Sequence, residues 1–236
     1  NQFVRDGFVV LPTAFNAFEA AAIQEWSFEL SELPEEPGKH WVYHEPSLLS
    51  DNQELINRIE NMTQFHKGFS ELAECLKTSV GQLLGENAVL FKDKINFKMP
   101  GGDGFKPHQD SQAGWEDYAS YFINVMVSVD AATIQNGCLQ LARRSNKKLL
   151  GKKWEPLTAA ETSPTEFAPY PTEPGDIIYF DSYAPHASEP NLTDQSRRLY
   201  FATYNRLSEG DHLTSYYAAK RKSFPPDILA RFALRS

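Results

Sequence analysis

The residues of this 236-residue chain that could do chemistry gather at His108-Gln109-Asp110, with His186 far downstream and Ser188 and Arg197 just behind it. Two imidazoles and one carboxylate are the donors of the facial triad that holds Fe(II) on one side of an octahedron, leaving positions for a co-substrate and O2. That donor set implies an oxygenase. Side chains on an extended segment repeat every second residue, so the spacing sends His108 and Asp110 to one face, where both can reach one ion. A helix would separate them. A strand ending at His186 could deliver the third donor.

Residues 176–180 read as a buried strand, 191–194 as a turn and 199–204 as a returning strand. This predicts a hairpin-like return centred near Asn191 and Leu192, which brings Arg197 opposite His186, with Ser188 on the same face. A guanidinium beside a hydroxyl receives a carboxylate well, because the planar fork binds both oxygens at once. The carboxylate expected is the distal one of 2-oxoglutarate. Each piece alone has a plainer reading: His-x-Asp spacing arises by chance, His186 follows a proline, and Arg197 and Arg198 beside an acidic turn fit surface ion pairs. Their order and combination match one chemical requirement.

The elements that must position these residues follow from periodicity. A strand over 89–99 places Lys92, Lys94, Asn96 and Lys98 on one face and Phe91, Ile95, Phe97 and Met99 on the packing face. Lysines on a solvated edge strand are the bland alternative; beside His108 and Asp110 they are expected to form an anion-receiving wall. Residues 16–33 have helical spacing, with Phe15, Phe18, Ala22, Ile23, Trp26 and Leu30 on one side and Pro34 as terminator. A second helix over 71–84 carries Leu72, Cys75, Leu76, Val80 and Leu83 as a core stripe, and Gly85 stops it. Further strands fall at 122–129 and 138–142, and 100–104 is a turn. The segment 35–45 mixes Pro37 and Gly38 with His40, Trp41, Tyr43 and His44, the composition of a loop that closes over a pocket. Its breakers argue against a helical His40–His44 metal pair, leaving solvent or substrate contact for both.

Composition sets bounds. Length and a 41% hydrophobic fraction suit one domain over 1–236. A formal charge of -8 argues against a nucleic-acid surface, and no apolar run approaches a membrane span. Cys75 and Cys138 form neither a disulfide framework nor zinc spacing; both are expected to be buried, in a reducing, cytoplasmic setting. The chain opens at Asn1-Gln2-Phe3 within an apparent element, leaving room for a native segment ahead of it. Oligomeric state has no signature here.

Over nearly its whole length the chain resembles the phytanoyl-CoA dioxygenase superfamily of Fe(II)- and 2-oxoglutarate-dependent oxygenases. The marks are Asp6-Gly7-Phe8-Val9-Val10-Leu11, Lys94-Ile95-Asn96-Phe97-Lys98, His108-Gln109-Asp110, Asn136-Gly137-Cys138-Leu139 and the segment from His186 to Arg197. The resemblance implies a mainly β fold with flanking helices around a double-stranded β-helix, the jelly-roll or cupin-like core. It implies iron on His108, Asp110 and His186, and the far carboxylate of 2-oxoglutarate on Arg197 and Ser188. By the same match Asn96 and Lys92 lie near the co-substrate and Lys94 near the substrate. Related halogenases carry a small residue in place of the carboxylate ligand, so Asp110 implies hydroxylation.

For the substrate, the stretches around His40 to Glu45, Arg58-Ile59-Glu60-Asn61 and Lys94 to Lys98 resemble a branch acting on an aminophosphonate. A small polar amine or phosphonate is therefore expected, with Lys94, Trp115, Gln112, Arg58 and Tyr43 as candidate contacts; Trp115 reads equally well as a core aromatic. The alternatives are a hydrophobic secondary metabolite or an acyl thioester, and a cupin-like binding protein without activity. The acidic balance counts against a coenzyme A ester.

Overall fold

Alternation with a period of two divides the apolar residues of the central strands between two layers. In the computed structural model, which describes residues 2–144 and 146–229, the chain begins α1 (Gln2–Asp6), β1 (Phe8–Leu11), α2 (Ala17–Glu32), β2 (Trp41–Pro46) and β3 (Glu54–Glu60). Asn1 lies outside the described residues. Then come α3 (Lys67–Leu84), β4 (Ala88–Lys98), β5 (Phe105–His108), β6 (Ile123–Ser128), β7 (Leu139–Ala142) and α4 (Ala159–Thr162). The last elements are β8 (Phe167–Tyr170), β9 (Ile177–Asp181), β10 (His186–Ser188), β11 (Arg197–Arg206) and α5 (Leu213–Ser223). A seven-stranded sheet has the order β1-β9-β6-β11-β4-β3-β2, and a four-stranded sheet the order β5-β10-β7-β8. The pairings are antiparallel.

Met126, Ile178, Phe180, Leu199 and Phe201 pack with Leu139 and Leu141 of the smaller sheet. Their strand neighbours Val125, Val127, Tyr179, Tyr200 and Tyr204 pack instead with Ile23 and Leu30 of α2 and Phe69, Leu72, Leu76 and Val80 of α3. Strands buried on both faces read as continuous apolar runs, as β6 and β9 do. The result is the jelly-roll sandwich with flanking helices that the resemblance implied.

The helices follow their local signals. Asn16 caps α2 by accepting from Phe18 N and Glu19 N, while the Glu19 carboxylate takes Asn16 N at 2.8 Å. Its stripe differs from the expected one: Phe18 is 90% exposed and the buried positions are Ala20, Ile23, Ser27 and Leu30. Helix α3 begins at Lys67, four residues before the expected start, because His66 caps it by accepting from Phe69 N at 3.3 Å. It stops at Gly85 with φ +79°, and Cys75, expected in the core, is exposed on its outer face. A Cβ on Gly68 would stand 2.4 Å from the Trp26 ring, so only glycine allows the two helices this close.

Three expectations are corrected. The closing loop expected at 35–45 runs into a strand from Trp41: Trp41–Pro46 pairs with β3, Trp41 and Tyr43 are buried, His40 is 2% exposed, and His44 is held between Glu35 and Asp227 at 3.0 and 3.1 Å. The run from β9 to β11 is not a hairpin; β10 leaves the larger sheet to join β5 and β7, and Arg197 pairs with Lys98 rather than facing His186. Finally, Lys92 pairs with Thr203 but Leu90 with Tyr204, so Phe91 is the extra residue of a β-bulge. The bulge flips its parity, and Phe91 packs on Trp115 and Phe122 rather than with Ile95 and Phe97.

Candidate active site

Strands β5 and β10 are neighbours with His108 and His186 in register, and their rings lie 4.2 Å apart between centroids. Extended backbone persists through Gln109 (φ -117°, ψ 134°), after which Asp110 opens a short 3-10 turn to Ala113. That is enough to bring the carboxylate to the side of the imidazoles: donor atoms of His108, Asp110 and His186 all lie within 4.8 Å of one another. Asp110 Oδ1 is 3.9 Å from His108 Nε2, and Oδ2 is 3.8 Å from His186 Nε2.

The neighbours of the triad orient it. His108 Nδ1 donates to Lys106 O at 2.7 Å and His186 Nδ1 to Ala184 O at 3.0 Å, a tautomer assignment drawn from these carbonyl partners that leaves both Nε2 lone pairs for an ion. Burial, reinforced by His186, pushes His108 well below the usual imidazole range, so it is neutral and able to ligate. Burial alone would raise Asp110, but His186 and Lys94 outweigh it and keep the carboxylate ionised. Asn124 Nδ2 donates to Asp110 Oδ2 at 2.9 Å, and Thr203 Oγ1 fixes that amide by donating to Asn124 Oδ1 at 2.6 Å. Nothing in their spacing marks Asn124 and Thr203; strand pairing across β6 and β11 brings them together.

At the other end of the cavity stands Arg197, 2% exposed, with Nε and Nη2 unpartnered among the described residues. Burial pushes it down to about 10. A buried guanidinium with free donors is costly unless an anion completes it, so this residue fits a carboxylate ligand. Lys98, which the sequence placed on the wall without assigning it a ligand, donates to Ser188 Oγ at 2.7 Å and to Glu189 O. Lysine only donates, so Ser188 accepts from it and keeps its own hydrogen for a further acceptor. Asn191, fully buried, donates to Lys98 O at 2.9 Å and holds the turn after β10 against the end of β4. A Cβ on Gly137, at φ +77°, would stand 2.1 Å from Glu189 O, so the glycine admits this close approach. Arg198 turns away, bonded twice to Asp130 at 2.8 Å.

Asn96, Lys92, Lys94 and Trp115 line the same cavity as the triad, Ser188 and Arg197. Asn96 Oδ1 is buried without a hydrogen-bond partner among the described residues. Three expected contacts lie elsewhere. Gln112 spends its amide on Lys152 O, Glu155 O and Gln109 N, at 2.6, 2.8 and 2.8 Å, and is a clamp for the 152–155 segment. Arg58 donates to Glu60 at 2.7 Å with its guanidinium 4.2 Å above the Tyr43 ring, and Tyr43 OH donates to Phe224 O. Beside β4, where Arg58 pairs with Asn96 and Glu60 with Lys94, Lys220 of α5 closes this group on Glu60.

A jelly roll with two histidines and a carboxylate converging beside a buried, unpaired arginine defines an Fe(II)- and 2-oxoglutarate-dependent dioxygenase. The family model for phytanoyl-CoA dioxygenase matches residues 3–199. The 2-aminoethylphosphonate dioxygenase of an uncultured bacterium (HF130_AEPn_1) is 44% identical over 96% of this chain and 87% of its own. The methylphosphonate hydroxylase of Gimesia maris is 38% identical over 92% and 84%. Among solved structures, EctD from S. alaskensis with 2-oxoglutarate and 5-hydroxyectoine aligns with a TM-score of 0.73 at 23% identity, over 88% of this chain and 74% of that one. The chain belongs to the phytanoyl-CoA dioxygenase family. No helix among the described residues is long and apolar enough to cross a membrane.

Proposed function

We propose that the chain hydroxylates a small phosphonate at an unactivated C–H bond, with His108, Asp110 and His186 holding Fe(II) and with Arg197, Ser188 and Lys98 binding the far carboxylate of 2-oxoglutarate. The observation that carries the reading is the pairing of a metal-ligating triad with a buried arginine whose donors are unclaimed. Two relatives named for phosphonate substrates support the substrate class. Bound iron with 2-oxoglutarate supplies the oxidising power, and O2 is the oxidant.

The residues of the chain bind and orient. Lys106 O and Ala184 O fix the tautomers, and Asn124 fixes the face that Asp110 presents. Arg197 and Lys98 set the depth to which the co-substrate enters, and Asn96 lies beside it on β4. Phe180, Phe201 and Leu199 line the cavity and exclude water from a reactive centre. No protein base is required, and none is offered: the carboxylate lining the cavity is Asp110.

Anaerobic titration with Fe(II) and 2-oxoglutarate tests the reaction class through the metal-to-ligand absorption band, which His186→Ala should abolish. Folded protein without the band would overturn it. Succinate release coupled to oxidation of 2-aminoethylphosphonate or methylphosphonate tests the substrate class, against betaines and lipid acids as controls.

A further inference from the structure

We infer that the chain recognises its substrate by the phosphonate and not by the amine: Lys92 and Lys94 form a two-cation cradle for the oxyanion, and among the described residues the cavity offers an ammonium group no free carboxylate. This rests on the phosphonate reading above and names the part of the substrate that is read.

Lys92 and Lys94 stand two residues apart on the cavity side of β4, with Asp110 and Trp115 beside them. Lys92 and Lys98 are six residues apart, about 20 Å of strand, so the cradle and the co-substrate anchor occupy opposite ends of one cavity. The triad touches both ends: Asp110 lines the cavity beside the cradle lysines, and His186 stands two residues before Ser188, which accepts from Lys98. Each ammonium has three donors and no acceptor. Lys92 Nζ has Tyr216 OH at 3.4 Å, and Lys94 Nζ makes no hydrogen bond among the described residues, standing 5.2 Å from the Phe201 ring centroid. Most of their donors are therefore unclaimed. A phosphonate brings three oxygens and up to two charges, which matches adjacent cations better than a carboxylate does.

An amine finds no free carboxylate among the described residues, only the uncharged Asn96 Oδ1. The carboxylate lining the cavity belongs to the triad. Glu60, the β3 partner of Lys94 and on the same face of the sheet, does not line the cavity and is committed to Arg58 at 2.7 Å and to Lys220. Glu155 borders only the outer groove and stands 4.0 Å from Lys152 Nζ. The Trp115 face already has Lys92 Nζ 5.5 Å from its centroid, so a second cation there would meet like charge. The Trp115 and Phe201 rings beside the cradle suit an alkyl substituent of no particular identity.

The test is calorimetric binding under argon to protein loaded with Fe(II) and 2-oxoglutarate. The probes are 2-aminoethylphosphonate, ethylphosphonate, which lacks the amine, and β-alanine, which keeps the amine and replaces the phosphonate by a carboxylate. Ethylphosphonate should bind within about threefold of the amine, whereas β-alanine, losing charge-assisted hydrogen bonds, should bind roughly thirtyfold more weakly or worse. Lys94→Met and Lys92→Met should each weaken both phosphonates by about tenfold or more, while an unchanged 2-oxoglutarate affinity certifies the fold. Glu155→Gln should leave 2-aminoethylphosphonate binding as it was. Loss of about tenfold or more on removing the amine, or a Glu155→Gln defect confined to the aminophosphonate, overturns the inference and spares the phosphonate reading. Failure of both phosphonates to bind protein that still takes up 2-oxoglutarate overturns the phosphonate reading itself.

Discussion

Replacing Arg197 by methionine should move two measurements in opposite directions. In the ligand-free protein the guanidinium is 2% exposed and its Nε and Nη2 find no partner among the described residues, so the native side chain carries an uncompensated desolvation cost. Methionine of similar reach removes that charge, and apolar replacements of buried charges are neutral or stabilising by about 1–4 kcal/mol. With 2-oxoglutarate the balance reverses. Each charge-assisted hydrogen bond lost is worth about 1.5–3 kcal/mol. Lys98 and Ser188 remain to hold part of the carboxylate, so the net loss should be about 3 kcal/mol, roughly a hundredfold in Kd. Thermal unfolding with and without co-substrate reads both effects: ligand at a hundred times Kd stabilises the native protein by about 2.7 kcal/mol, and the same concentration should stabilise the variant by only about 0.4 kcal/mol. Arg198→Met is the control. It breaks the doubled bond to Asp130 and the contact with Ser27 Oγ, and should lower stability while leaving co-substrate affinity intact. If Arg197→Met keeps its 2-oxoglutarate affinity, or unfolds at a lower temperature without ligand, the reasoning about this arginine is wrong.

Asn124→Leu removes the donor that orients Asp110, and second-layer changes of this kind weaken metal binding by about 10–100-fold; an unaltered Fe(II) titration would refute the role. Burial and Arg197 push Lys98 down to about 7, so in the free protein it is charged below that pH and neutral above it. Co-substrate affinity should therefore be flat below pH 7 and fall by up to about tenfold per unit above it, until the pKa of the bound state is reached. Lys98→Met should remove that slope; a variant that retains it shows that another group titrates. Gly137→Ala forces a Cβ against Glu189 O in left-handed backbone and should cost about 1–3 kcal/mol, with weaker 2-oxoglutarate binding read by calorimetry as the sign that the shift reaches Ser188.

The triad was legible because its spacing encodes its geometry: one extended residue between His108 and Asp110 is enough to align them. Arg197 was legible by its place behind His186, yet the hairpin invoked to position it does not exist. The two residues reach one cavity from different sheets, a crossing that local periodicity does not reveal, since the three residues of β10 carry no pattern that assigns them to one sheet or the other. Strands β2 and β3 were hidden for a related reason. In β3 Asn57 and Arg58 split the apolar residues Leu55, Ile56 and Ile59 between two glutamates, and β2 follows Pro37 and Gly38 closely enough to pass for loop. Gln112, Arg58 and Tyr43 were chosen for proximity in sequence or for type; their polar atoms are consumed by backbone and by Glu60. Asn124 and Thr203 had no signal, because a side chain acting through another has no ligand chemistry of its own to announce.

A single strand accounts for most of what the cavity can recognise. From Lys92 to Lys98 the alternate residues of β4 face the metal side, and their opposites, Ile95 and Phe97, pack under the helices. A strand that placed lysines on a solvated face would leave them hydrated and nearly interchangeable. Here the facing sheet covers them, so burial lowers Lys94 to about 8 and Lys98 to about 7, and each becomes a place where an anion repairs a desolvation cost. The bulge at Phe91 ends this alternation where the cavity must end. Without it Phe91 would join the core, and Trp115, which rests on the Phe91 ring at 5.5 Å, would lose its support. The anions proposed for the two ends of the metal site both meet β4, because Lys92 and Lys94 stand at one end of this span and Lys98 at the other.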